Sequence, residues 1–177
     1  MTKPIKAYLI GNRIFTEASN EARELWNTSR FGSLAIEGKV ELSWIEAIYL
    51  LEKGKIILLD GKGKEISFDK AFAKASKALG KEFWVRYVTY KNLRNRGYIV
   101  KTALKFGAEF RVYDKGVKPG EDHAKWIVYP VYESDKFTWY EFAAKNRVAH
   151  STKKKLLIGT VDEEGDVTFW EVNWLRP

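Results

Sequence analysis

Apolar positions recur at two periods along this chain, and the changes of period divide it into alternating strands and helices. Short alternating runs predict strands at Lys6–Ile10 and Arg13–Thr16, then a helix over about Glu17–Thr28, then an extended Phe31–Leu42 punctuated by glycine. Ser43 followed three residues later by Glu46 is a capping box. The helix it opens carries Trp44, Ile45, Ala47, Ile48, Leu50 and Leu51 as a broad apolar face and stops at Gly54. A strand is expected at Ile56–Asp60. Ser67 then stands where a helix cap belongs, and Phe68, Ala71, Phe72, Ala75 and Leu79 repeat at helical spacing up to Gly80.

Beyond Gly80 the chain becomes more aromatic and more basic, starting with the helical stretch KEFWVRYVTYKNLRNRG, whose Arg94, Arg96 and Gly97 suit a helix C-terminus. Strands follow at Tyr98–Ala103, Ala108–Tyr113 and Lys125–Tyr132, the last carrying Pro130, which points to an edge or a bulge. Thr138 and Glu141 form a second capping box and open a helix reaching about Lys145. Two final strands, Lys155–Val161 and Val167–Trp174, flank the turn DEEGD. This order predicts a small α+β N-terminal domain over residues 1–81 and an α/β C-terminal domain with a central mixed β-sheet over residues 82–177.

Composition narrows the chemistry. The 177 residues are 45% hydrophobic and 15% aromatic, enough for one large or two small cores. No apolar run approaches the roughly 18–20 residues that span a bilayer. The segment MTKPIKAYLIGNRIF has no long apolar stretch of the kind that leads a secreted chain, so a cytoplasmic location with no membrane partner is expected. The chain has no cysteine and only two histidines, His123 and His150, which removes thiol catalysis, disulfides and cysteine- or histidine-rich metal centres. An excess of 31 Lys and Arg over 23 Asp and Glu, a net charge of +8, favours a polyanionic partner. The absence of Gln, with a single Met and 31% charged residues, is a profile shared with heat-adapted proteins.

Three reactive side chains stand at predicted strand ends: Tyr113 closes one strand, His123 lies in the loop before the next, and Lys154 immediately precedes a third. If those strands share a sheet, the ends converge, and sites on open sheets gather at such ends. A phenol that accepts a proton, an imidazole that donates one and a cation that stabilises a charged phosphate can together cut RNA without a metal. A free phenol, with a pKa of about 10, is about one part in a thousand ionised at pH 7. A tyrosine used as a base therefore needs a cation beside it, and Lys154 is the candidate. His150 has the same chemistry as His123, but its position suits a structural histidine at a helix end.

The segments NLRNRGYIVKTALKFGAEFRVYDKG, EDHAKWIV and NRVAHSTKKKLLIGTVDEEGDV resemble the archaeal tRNA-splicing endonucleases, strongly over residues 83–177 and more loosely through LSWIEAIYLLEKG in the N-terminal half. The resemblance implies a nuclease-type mixed sheet, no cofactor or metal, and Tyr113, His123 and Lys154 as the catalytic residues. It implies cleavage of precursor tRNA at both ends of an intron, within a bulge-helix-bulge RNA. By the same resemblance Arg147 falls on a residue that clamps an extruded base, with Trp170 or its neighbour Phe169 opposite it. A guanidinium or an aromatic ring stacked on an unpaired base is sequence-tolerant recognition. The acidic turn containing Asp162, Glu163, Glu164 and Asp166 is implied to insert into a basic pocket of a neighbouring subunit. The final strand, FWEVNWL, is implied to pair across a dimer, in a homotetramer.

Two other readings stay open on the residues alone. One is a noncatalytic RNA-binding or structural subunit that needs a separate catalytic chain. The other is a metal-dependent DNA nuclease built on Glu109, Asp114, Glu121 and Asp122.

Overall fold

The computed structural model describes residues 3–177, which divide into two compact units between Phe83 and Trp84. Both are mixed α/β.

The first unit carries a five-stranded sheet of order β3-β4-β2-β1-β5, formed by β1 (Ile5–Ile10), β2 (Arg13–Thr16), β3 (Ser33–Leu34), β4 (Val40–Leu42) and β5 (Ile56–Leu59). Only β1 and β5 run parallel; every other pairing is antiparallel. Helix α1 (Asn20–Asn27) begins three residues later than the pattern predicts. The Ser19 side chain caps it by accepting from the Ala22 amide at 3.1 Å, while the Glu17 amide still donates to Lys6 O on β1 at 2.8 Å. Helix α2 (Trp44–Glu52) has its expected capping box, and Ile45, Ala47, Ile48 and Leu50 are buried. Helix α3 (Phe68–Leu79) ends at Gly80 as expected, but Ser67 at its start makes no side-chain capping bond.

The second unit is a five-stranded sheet of order β10-β9-β8-β7-β6: β6 (Ile99–Thr102), β7 (Phe110–Tyr113), β8 (Trp126–Tyr132), β9 (Lys155–Val161) and β10 (Val167–Val172). It is antiparallel except for β8 with β9, so the mixed central sheet expected for this half is present. On one face α4 (Phe83–Asn95) packs Tyr90 against Phe110, ring centroids 5.8 Å apart. On the other, α5 (Trp139–Ser151) brings Ala149, Phe142 and Val148 onto Ile127, Tyr129, Leu156 and Ile158.

Three expectations change here. Helix α5 continues to Ser151 rather than ending near Lys145, because Val148 and Ala149 prolong its apolar face against the sheet. Strand β10 ends at Val172, two residues short of Trp174. Pro130 lies in the central strand β8 with no bulge beside it. The pairing of β8 with β7 reaches only Val128, so the proline sits in a stretch with one neighbour and its missing amide costs little.

Candidate active site

Register brings the three strand ends together. Val112 on β7 pairs with Trp126 on β8, which pairs in turn with Lys155 on β9. Because β7 runs antiparallel to β8 and β8 parallel to β9, the end of the first and the starts of the other two lie side by side. Tyr113 is one residue past this row and Lys154 one residue before it. Both line a cavity of about 410 Å³, together with His123, Arg111, Gly120, Glu121, Asp122 and Ala124. Tyr113 is buried, Lys154 half-buried and His123 exposed.

The end of α5 holds Lys154. Thr152 is the C-cap, Lys153 adopts a left-handed conformation at φ 55°, and the chain closes in a Schellman motif. The Lys153 amide donates to His150 O at 3.0 Å and the Lys154 amide to Ala149 O at 2.8 Å. The ammonium reaches back to donate to Thr152 O at 2.9 Å. Burial pulls the Lys154 pKa below that of a free lysine, and repulsion from Arg111 adds to the shift.

His123 is placed by its loop. Lys125 closes the loop onto Asp114 through a 2.8 Å ion pair, and the Lys125 amide donates to Val112 O at 2.9 Å. Asp122 Oδ1 accepts from the His123 amide at 2.6 Å. Asp114 also accepts from the Lys115 amide at 2.9 Å. These bonds, Lys125 foremost, hold its carboxyl below the usual aspartate range, so the clamp persists at neutral pH and opens only as pH falls through that lowered value.

The two sequence models that match the chain divide it in the same order as the fold: a tRNA intron endonuclease N-terminal domain over residues 5–72 and a tRNA intron endonuclease catalytic C-terminal domain over residues 83–169. It is 42% identical over 176 residues to a tRNA-splicing endonuclease of Thermococcus onnurineus, covering 99% of each chain. It is 40% identical to that of Pyrococcus horikoshii, again over 99% of each, and 39% identical to that of Methanothermobacter thermautotrophicus, over 95% of this chain and 96% of the other. The chain belongs to the tRNA intron endonuclease family.

In this family member the remaining predicted residues lie outside the cavity. Arg147 is exposed on α5. Trp170 on β10 is 59% exposed, whereas Phe169 turns to the opposite face, where Arg96 lies 5.9 Å over its ring. His150, in the last turn of α5, packs on Trp174 with centroids 4.1 Å apart. Asp162, Glu163, Glu164 and Asp166 form the β9–β10 hairpin turn, tied by Asp162 Oδ1, which accepts from the Asp166 amide at 2.8 Å.

Two of the four carboxylates considered for a metal have cationic neighbours: Glu109 lies 3.8 Å from Arg86, and Asp114 belongs to the loop clamp. Among the described residues no three His, Asp or Glu side chains are arranged to hold a metal ion, and no helix is long and apolar enough to cross a membrane. Sequence reasoning missed the clamp, having read Asp114 only as a possible ligand. It missed Arg111 as well, although its alternation with Tyr113 in FRVY put both on one face of the strand.

Breaking the clamp tests how the loop is held. Asp114→Ala is expected to speed amide hydrogen exchange across residues 115–124 while leaving the thermal midpoint nearly unchanged, since a solvent-exposed ion pair is screened and adds little to global stability. Exchange rates equal to those of the wild type would show that the loop is held without the pair.

Proposed function

We propose that the chain is a metal-independent endoribonuclease that excises introns from precursor tRNA by cutting both splice sites of a bulge-helix-bulge. The observation that carries this is the convergence of Tyr113, His123 and Lys154 on one cavity in a chain of this family. Tyr113 takes the proton of the 2′-hydroxyl, and the freed oxygen attacks the adjacent phosphorus. The bond from phosphorus to the 5′-oxygen breaks, His123 gives that oxygen a proton, and Lys154 stabilises the added negative charge. The products are a 2′,3′-cyclic phosphate and a 5′-hydroxyl. The test is incubation of the purified chain with bulge-helix-bulge RNA in EDTA, followed by end-group analysis. Cleavage at both splice sites with cyclic phosphate ends is expected. A requirement for magnesium, or a 3′-hydroxyl product, would overturn the reading, and an intact RNA would favour a noncatalytic subunit.

Arg147 and Trp170 contact the RNA in this reading, as exposed flat groups suited to stacking on an extruded base. Arg147→Ala is expected to weaken binding of the bulged RNA by about 1–3 kcal/mol with the fold retained. Equal affinities by filter binding would remove Arg147 from the interface.

The assembly in this reading is a homotetramer, with Asp162, Glu163, Glu164 and Asp166 inserted into a basic surface of a neighbour. Strand β10 is the edge of its sheet, with Trp170 on it and Trp174 and Leu175 after it largely exposed, which is a liability unless a partner covers them. Light scattering after size exclusion is expected to give four chains per particle, and a monomer would exclude this assembly.

A further inference from the structure

Arg111 sits on β7 directly opposite Ile127 and two residues before Tyr113, so it shares the tyrosine's face of the sheet and enters the same cavity as Lys154. Its Nε is buried and makes no hydrogen bond, and no ion pair to it occurs among the described residues. The nearby carboxylates are committed or exposed: Glu109 faces Arg86, Asp122 accepts from the His123 amide, and Glu121 stands in solvent. A guanidinium keeps its charge at any physiological pH, and a buried donor without an acceptor is unfavourable. The guanidinium also repels the Lys154 ammonium, which lines the same cavity, so both positive charges face the space that a ligand would enter.

We propose that Arg111 and Lys154 form a phosphate-binding subsite, in which the guanidinium takes two non-bridging oxygens of a phosphate and the ammonium adds a point charge. A planar fork suits two oxygens of one phosphate, whereas a lysine supplies charge without that geometry. The identity of the phosphate as the one being cut rests on the proposed function; the subsite itself does not. In that reading Arg111 is a further catalytic residue, since it touches the group on which negative charge develops.

Inorganic phosphate is the first probe. Titrated into the free protein, it is expected to shift the NMR signals of Lys154 saturably in the wild type, about tenfold more weakly in Arg111→Ala, and to an intermediate degree in Arg111→Lys, which keeps the charge and loses the fork. Circular dichroism confirms that the variants are folded. Equal phosphate affinity in all three proteins would overturn the subsite.

A second arm uses bulge-helix-bulge RNA made uncleavable by a 2′-deoxy sugar at the splice site, with either an ordinary phosphate or a neutral methylphosphonate there. The wild type is expected to prefer the charged form about tenfold, and Arg111→Ala to lose that preference. Single-turnover cleavage of the normal RNA is expected to fall about 10²–10³-fold in Arg111→Ala, the range seen when one donor to a developing oxyanion is removed. An unchanged preference and rate would remove Arg111 from the reacting phosphate. Phosphate binding that depends on Arg111 in a wild type that leaves the RNA intact would uphold the subsite and reject the proposed function.

Discussion

Replacing His123 by alanine is expected to slow RNA cleavage by about 10²–10⁴-fold, the range for losing a positioned general acid, with the fold unchanged. The departing 5′-oxygen needs a proton as its bond to phosphorus breaks, and the cavity offers the exposed imidazole of His123 for that purpose. Exposure also makes the substitution structurally mild, since no packing is lost and the Asp122 bond goes to the backbone amide, which alanine keeps. His150→Ala is the control. That ring packs on Trp174 outside the cavity, so its removal is expected to leave the single-turnover rate within a few-fold of the wild type. Equal losses in two folded variants would show that His123 is not the acid.

Gly32→Ala is expected to destabilise the first unit by roughly 2–5 kcal/mol, lowering its thermal midpoint by about 10 °C or more. Gly32 has φ 63°, in the left-handed region, where an alanine costs roughly 1–2 kcal/mol. An added Cβ would lie 2.4 Å from Glu41 O and 2.6 Å from Val40 Cγ1, so β4 or the loop before it must move. Such overpacking costs about 1–3 kcal/mol more. The movement would also disturb a buried carboxylate, because the Gly32 amide donates to Glu46 Oε1 at 2.9 Å and Oε2 accepts from the Ser43 amide and hydroxyl. Gly61, with no left-handed φ and nothing within 4 Å of an added Cβ, serves as the comparison. Gly61→Ala should melt within a few degrees of the wild type, and a Gly32→Ala melt matching it would refute the steric argument.

Much of the local structure was legible in the chain because capping is local chemistry. Ser43 with Glu46 and Thr138 with Glu141 form their capping boxes as expected, since each needs only a four-residue span. Where local signals compete the reading failed. Glu17 can start a helix, yet its amide stays bonded to β1 and Ser19 takes the cap instead. The end of α5 escaped for a related reason: nothing between Lys145 and Ser151 stops a helix, and the stop comes from Lys153 in a left-handed conformation that usually belongs to glycine or asparagine.

The candidate site divides along the same line. The sequence by itself determined the reactive types, Tyr113, His123 and Lys154, their placement at strand ends, and the family to which the chain belongs. Only the tertiary structure decided that these ends share one cavity, since convergence depends on β7 meeting β8 antiparallel and β8 meeting β9 parallel. It also decided that Arg111 enters the cavity and that Asp114 pairs with Lys125 to hold the loop. The physical reason is range. Caps, periods and turns are set by neighbours a few residues apart, whereas strand order, register and the lining of a cavity are set by residues far apart in the chain.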